Sequence, residues 1–296
     1  MLVSNVINII EDIEQNRLGD LDDFLGSCIM TRISRNKDDD YLNRDDGFFD
    51  IDNPKNIDKI FLDGATDTFE NFSYWWESHK SVNYWIGVTG SWRTINQKVV
   101  DDITNIVRYI TSHGMGILTG GALGVDYITT EIVLKEGDPN TQLRITVPIN
   151  KYDYVQHFMN SASSSVINSS QRNAIAKQMI YVIDKYPEII FDKTSFNQKE
   201  FLDTENDEYR KDCYSFRNNL IAYACDGLVP FWVNQSKGVK DTIKSVTFMQ
   251  KPILELKELI YSIDQNSDEV IRDYSKLIIP NLKEDYPLKD NSIQNK

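Results

Sequence analysis

The sequence predicts an α/β fold, a Rossmann-like parallel sheet with helices on both faces, and three observations predict it. Short apolar runs read as buried strands: YWIGVT at 84–89, MGILT at 115–119 and LRITVP at 143–148. Between them lie stretches with apolar residues at helical spacing, clearest in Val99, Ile103, Ile106, Val107 and Ile110 over 95–112, and again over 122–136. Gly90-Ser91, Gly114 and Gly120-Gly121 stand at the junctions, so the unit of strand, tight turn and helix repeats. Strands that alternate with helices pair in parallel and are covered on both faces.

The rhythm breaks after Pro148. Residues 149–212 hold a Ser- and Asn-rich piece (NSASSSVINSS), a helix predicted over 171–185 and an acidic stretch, and together read as an insertion. It resumes with a helix over 214–225, a strand over 227–233 (GLVPFWV), a loop at 234–238, a helix over 239–249 and a short edge strand around 252–256. The expected organisation is an acidic and aromatic, mainly helical extension over 1–80, a ligand-binding domain over 81–256, and a C-terminal helix and mobile tail over 257–296. The extension is predicted to contain a helix through Ile9, Ile13 and Leu18, a second from Leu21, Phe24 and Leu25, and a solvated acidic loop at 36–52. The last helix is predicted over 256–264. Phe72, Tyr74, Trp75 and Trp76 precede the core and read as a hydrophobic clamp rather than a base-stacking platform, because no basic residues interleave them.

Hydrophobic residues make up 41% of the 296, enough to bury a core without staples. The three cysteines, Cys28, Cys213 and Cys225, form no CxxC pair, which argues against a disulfide framework and a zinc ribbon. The opening MLVSNVINIIEDIEQ has no basic leader and the chain has no apolar run of about 18 residues, so a cytoplasmic location and no membrane partner are expected. A formal net charge of -13 repels bulk nucleic acid, yet leaves room for a pocket built from two or three cations.

Ligands of an open parallel sheet collect at the carboxyl ends of its strands, where helix N-termini present free N–H groups to anions. Three loops occupy that edge. The first is Thr89-Gly90-Ser91-Trp92-Arg93, where glycine permits close backbone approach, the serine hydroxyl can donate to a phosphate and Arg93 adds a charge. The second is Thr119-Gly120-Gly121-Ala122-Leu123-Gly124-Val125-Asp126, and the third Asn234-Gln235-Ser236-Lys237-Gly238-Val239, polar and directly before a helix. Arg217 is placed at a helix start, where a cation opposes the macrodipole unless it serves an anion, with Asn218 beside it. Arg217 and the Gly120-Gly121 turn are expected to form one anion site, Gly121 leaving the space that a phosphate needs. Arg93 stands open between surface residue and phosphate ligand. Asp126 either braces the glycine turn or accepts from ribose hydroxyls, the first being preferred. Ser236, Lys237 and Gly238 suit a phosphate contact.

These residues also carry a family resemblance. TGSWR, TGGALGVD and YSFRNNLIAYACDGLVPFWVNQSKGVKDTI resemble the SLOG superfamily, the Rossmann-like group that includes the Smf or DNA-processing protein A domain and the LOG-type proteins. The likeness spans roughly 84–254 and is most specific over 217–243; PINKYDYVQHF also looks like the segment that follows the third strand in DNA-processing-like members. It implies a sheet order of 3-2-1-4-5 and a site for nucleotide phosphate, ribose or a DNA backbone. LOG-type phosphoribohydrolases carry PGGxGTxxE, whose Glu serves hydrolysis; the corresponding stretch here is NQSKGVKDTI, with Asp241 displaced by one position.

The expected function is thus a module that binds a nucleotide, a nucleotide-derived ligand or a single-stranded DNA end, with cleavage of a nucleotide N-glycosidic bond by Asp126, Asp212 or Asp241 as the alternative. A second copy of the chain is an allowed partner. No cofactor and no metal are called for: His79, His113 and His157 lack ligand spacing and a nucleophile partner, and Cys213 and Cys225 read as packing residues.

Overall fold

The computed structural model describes residues 64–160, 167–203, 207–254, 257 and 259–280. The helices expected near Ile9 and Leu21, the acidic loop at 36–52, Cys28, most of the Ser-rich piece and the tail beyond 280 lie outside the described residues.

A six-stranded sheet, parallel throughout, forms the centre: β1 (Trp85–Gly90), β2 (Gly116–Thr119), β3 (Leu143–Thr146), β4 (Ile190–Phe191), β5 (Gly227–Val233) and β6 (Ile260–Tyr261), in the order β4-β3-β2-β1-β5-β6. The order is similar to the predicted one and differs from it in two places: the strand beside β5 is at 260–261, while the stretch expected at 252–256 makes one bridge through Ile253, and a further strand is added beyond β3. The segment read as an insertion supplies β4, a two-residue strand that extends the sheet beyond β3. Two residues carry too little periodicity to be seen in sequence.

The helices are α1 (Ala65–His79), α2 (Gln97–Ser112), α3 (Val125–Glu136), α4 (Pro139–Gln142), α5 (Lys151–Asn160), α6 (Ser169–Lys185), α7 (Gln198–Leu202), α8 (Asp207–Ala224) and α9 (Lys237–Phe248). Right-handed crossovers from β1 to β2 and from β2 to β3 put α2 and α3 on one face; the sheet grows the other way from β5 to β6, which puts α9 on the opposite face with α8 beside it. The strand order therefore reverses between β1 and β5, the switch point at which the carboxyl-end loops diverge.

The clamp reading holds for three of the four aromatics. Phe72, Trp75 and Trp76 are buried and Tyr74 is exposed. Phe72 meets Phe191 of β4 edge to face at 5.0 Å, and Trp76 meets Trp85 of β1 at 5.1 Å, so α1 is fastened across the sheet. Arg144 of β3 caps the end of α1, donating from Nε to the His79 carbonyl at 2.9 Å while its guanidinium lies over the Trp85 ring.

The C-terminal part departs from expectation. Instead of a helix over 256–264, Ile260–Tyr261 forms β6, which pairs with Trp232 and Val233, and Ile253 makes one parallel bridge to Leu228. Asn234 explains the change: its side chain donates to the Ile263 carbonyl at 2.7 Å and accepts from the Ile263 N–H at 2.8 Å, holding that backbone extended beside β5. From there a strap runs over the carboxyl edge, with Val270, Tyr274 and Ile279 buried, the Ile271 N–H donating to the Ile95 carbonyl and the Gln97 amide donating to the Ile278 carbonyl.

Candidate anion site at the carboxyl edge

The second loop and α8 meet. Arg217 lies well inside α8, because the helix begins at Asp207, several residues before the predicted start, and the macrodipole argument for Arg217 falls with that start. What places it is burial: Arg217 is 6% exposed and extends over the end of β2. A β-carbon built on Gly120 would stand 1.1 Å from Arg217 Nη1, so the guanidinium fills the volume that any other residue at 120 would occupy. Arg217 Nη1 also lies 3.5 Å from Asp126 Oδ2, with both side chains under a tenth exposed. Its Nε has no hydrogen-bond partner among the described residues. A buried guanidinium with one long contact has donors to spare.

Asp126, the second residue of α3, accepts from the Ala122 N–H at 3.3 Å, which is the brace across the glycine turn. Burial pushes its carboxyl above the ordinary aspartate range, against the pull of Arg217, the Ala122 N–H and the Thr119 hydroxyl. Tyr154 of α5 and Tyr214 of α8 complete the surroundings. The Arg217 guanidinium sits 5.6 Å from the centre of the Tyr214 ring. Burial raises both phenols, Tyr154 well above its usual value and Tyr214 up to about 12, so both stay neutral beside the ion pair.

Gly121 turns toward the core and not toward Arg217. Its φ is +62° and a β-carbon there would come within 2.8 Å of Ile145 Cγ2, in the core. The glycine that keeps space at the site is Gly120. The α3 N-terminus is also largely occupied: the Gly124 N–H donates to the Tyr274 hydroxyl at 3.0 Å, and the Val125 N–H donates to the Ser91 carbonyl at 3.3 Å.

In the first loop, Gly90 is where α3 packs closest, since a β-carbon would meet Val125 Cγ2 at 2.2 Å. The Ser91 hydroxyl, expected to donate to a phosphate, is buried and donates to the Val233 carbonyl at 3.0 Å, tying β1 to the end of β5. Arg93 is exposed, with its guanidinium over the Trp92 ring at 4.1 Å; partial burial lowers its pKa, while Asp207 at the start of α8 counters that.

In the third loop, Asn234 and Gln235 both adopt left-handed backbone, with φ of 50° and 53°. Ser236 is the N-cap of α9 but its side chain makes no capping bond; its carbonyl accepts from Trp232 Nε1 at 3.0 Å. Lys237 and Gly238 begin α9, Lys237 exposed and Gly238 half-buried. Asn218 Nδ2 lies 4.0 Å from where a Gly238 β-carbon would be. Consecutive residues of α8 thus face two loops, Arg217 toward Gly120 and Asn218 toward Gly238.

The sequence reading missed Tyr154, Tyr214 and Tyr274. The tyrosines carry no local signal, because they reach the edge from segments remote in sequence. His157 is half-buried against Phe201 at 5.3 Å, and burial, with Arg210 nearby, lowers its pKa to about 4. Among the described residues no group of His, Cys, Asp or Glu could hold a metal ion, and no helix is long and apolar enough to cross a membrane. Cys213 and Cys225 are buried free thiols, both raised by burial.

No family model matches the sequence, and no curated protein matches it. Among solved structures the chain is similar to DNA processing protein A from Helicobacter pylori, described for its single-stranded DNA binding mode, at 17% identity and a TM-score of 0.38, over 67% of this chain and 71% of that one. It is also similar to DNA processing protein A from Streptococcus pneumoniae, at 13% identity and a TM-score of 0.36, over 57% of this chain and 49% of that one. The likeness to both is one of fold.

Proposed function

We propose that the chain is a binding module for a phosphate-bearing ligand, a nucleotide or a nucleic-acid end, taken up at the carboxyl edge between α8 and the loop that follows β2. The observation that carries this reading is the Arg217 guanidinium, buried over a side-chain-free Gly120 with Nε unpartnered among the described residues. Buried charges keep their place where they are matched. Asp126 alone, at 3.5 Å and itself shifted toward its neutral form, matches Arg217 poorly, and an anionic oxygen would complete it. Asn218, Lys237 and Gly238 at the neighbouring loop would hold the sugar or a second phosphate. Arg93 would meet the ligand further out.

A second reading, hydrolysis of an N-glycosidic bond, is favoured by one observation: a buried carboxyl with a raised pKa is the form in which an acid catalyst is kept. Of the three candidate acids only Asp126 stands beside Arg217; Asp241 is buried within α9. A thermal-shift screen with AMP, ADP-ribose, cyclic nucleotides and short single-stranded DNA tests the first reading, since a ligand at a hundred times its Kd adds about 2.7 kcal/mol of stability. A screen without any shift contradicts it. Free base released from a bound nucleotide would favour the second.

A further inference from the structure

Arg217 is already faced by an anion of its own. Asp126 Oδ2 lies 3.5 Å from Nη1, is braced by the Ala122 N–H and has a side chain only 8% exposed, so solvent screens it weakly. A phosphate brought to the same guanidinium therefore arrives within a few ångströms of a carboxylate, and like charges at that range in a dry site cannot both be kept. Asp126 cannot easily swing away: it sits in the first turn of α3, just after Gly124, whose φ of +70° and contacts with Ser91 fix the start of that helix.

Among the described residues, the groups around Asp126 bring it no second cation. Thr119 comes from β2, Tyr154 from α5, Tyr214 and Arg217 from α8, and Tyr274 from the strap at Gly124. The three phenols are all shifted upward by burial and stay neutral, so Arg217 and Asp126 are the charged pair of this cluster.

Resting on the anion site put forward above, we propose that Asp126 is a built-in competitor for Arg217 and that a phosphate binds there together with one proton, taken from solvent onto the Asp126 carboxyl. No other bond changes. The neutral carboxylic acid releases Arg217 to the ligand and turns one oxygen from acceptor to donor, which then faces the phosphate. Binding is thereby coupled to pH: where the free site is ionised, affinity falls about tenfold for each pH unit, the slope that uptake of one proton requires.

The experiment uses the full chain and two probes whose own charge is constant between about pH 5 and 8, inorganic sulfate and a short oligothymidylate. Titration calorimetry in two buffers of different ionisation enthalpy reads the protons taken up directly. The expected result is uptake approaching one proton per probe bound and tighter binding at the acid end of the range. Asp126→Asn, checked for fold by circular dichroism, should bind with an affinity that does not depend on pH and without buffer-dependent heat. Binding to the wild-type protein without proton uptake overturns the proposal while leaving the anion site standing, and so does an Asp126→Asn variant that keeps the wild-type pH slope. No binding of either probe at any pH overturns both.

Discussion

Arg217 Nη1 occupies the position that a side chain on Gly120 would need, 1.1 Å from the ideal β-carbon. The pair is a lock in which each residue is defined by the other. Gly120→Ala must therefore push the guanidinium out of its seat, while in Arg217→Ala that clash is gone and only Asp126 Oδ2, 2.8 Å from the β-carbon, has still to give way. The two substitutions are expected to be non-additive in stability by about 0.5 to 3 kcal/mol, the double variant being more stable than the sum of the singles predicts. A double-mutant cycle by chemical denaturation measures it.

Gly121 is held by backbone conformation and by the core. With φ at +62° and Ile145 Cγ2 2.8 Å from a β-carbon, Gly121→Ala should lose about 1 to 3 kcal/mol of stability. The remaining folded protein should bind ligand with near wild-type affinity, because the added methyl points away from Arg217. Denaturation followed by titration of the folded fraction separates the two effects.

Removing the Arg217 charge should destabilise the protein in a pH-dependent way. The folded-state pKa of Asp126 is already raised, so this residue opposes folding increasingly as pH rises from about 4, the unfolded value, through its raised folded value. Without Arg217 that folded value climbs further. Arg217→Gln should therefore cost up to about 3 to 5 kcal/mol near neutral pH and less at pH 5, where protonation of Asp126 restores part of the loss. Urea denaturation at pH 5 and pH 8 tests this; an equal loss at both values would contradict it.

Tyr274→Phe removes the acceptor of the Gly124 N–H at the start of α3. Leaving that buried donor unpaired should cost about 1 to 3 kcal/mol and speed hydrogen exchange at the N-terminus of α3. Unchanged protection there would show that the strap does not hold the helix end.

The sheet was legible because its strands are short apolar runs between glycine turns, and 227–233 is a strand to the residue. The approach of Arg217 to the Gly120-Gly121 turn is expected because loops at one sheet edge converge, but Arg217 reaches the turn from within α8 and not from a loop or a helix start. What composition could not disclose is which donors are already spent. Ser91 looks available in sequence and is committed to Val233. Gly120 and Gly121 look alike, and only backbone geometry tells the one under Arg217 from the one against Ile145. The strand at 260–261 was masked by an apolar spacing that suits a helix, and it forms because Asn234 grips the backbone at Ile263. Such tertiary commitments leave no local pattern.

In the proposed site Arg217 holds the ligand's phosphate. Titration calorimetry checks this on the wild-type protein and on Arg217→Lys, which keeps the charge that Asp126 needs but gives up the planar fork, with whichever nucleotide or oligonucleotide gives the largest thermal shift. A loss of about 1.5 to 3 kcal/mol, roughly tenfold to a hundredfold in affinity, with the fold intact is the predicted result. Wild-type affinity in the correctly folded variant would contradict it.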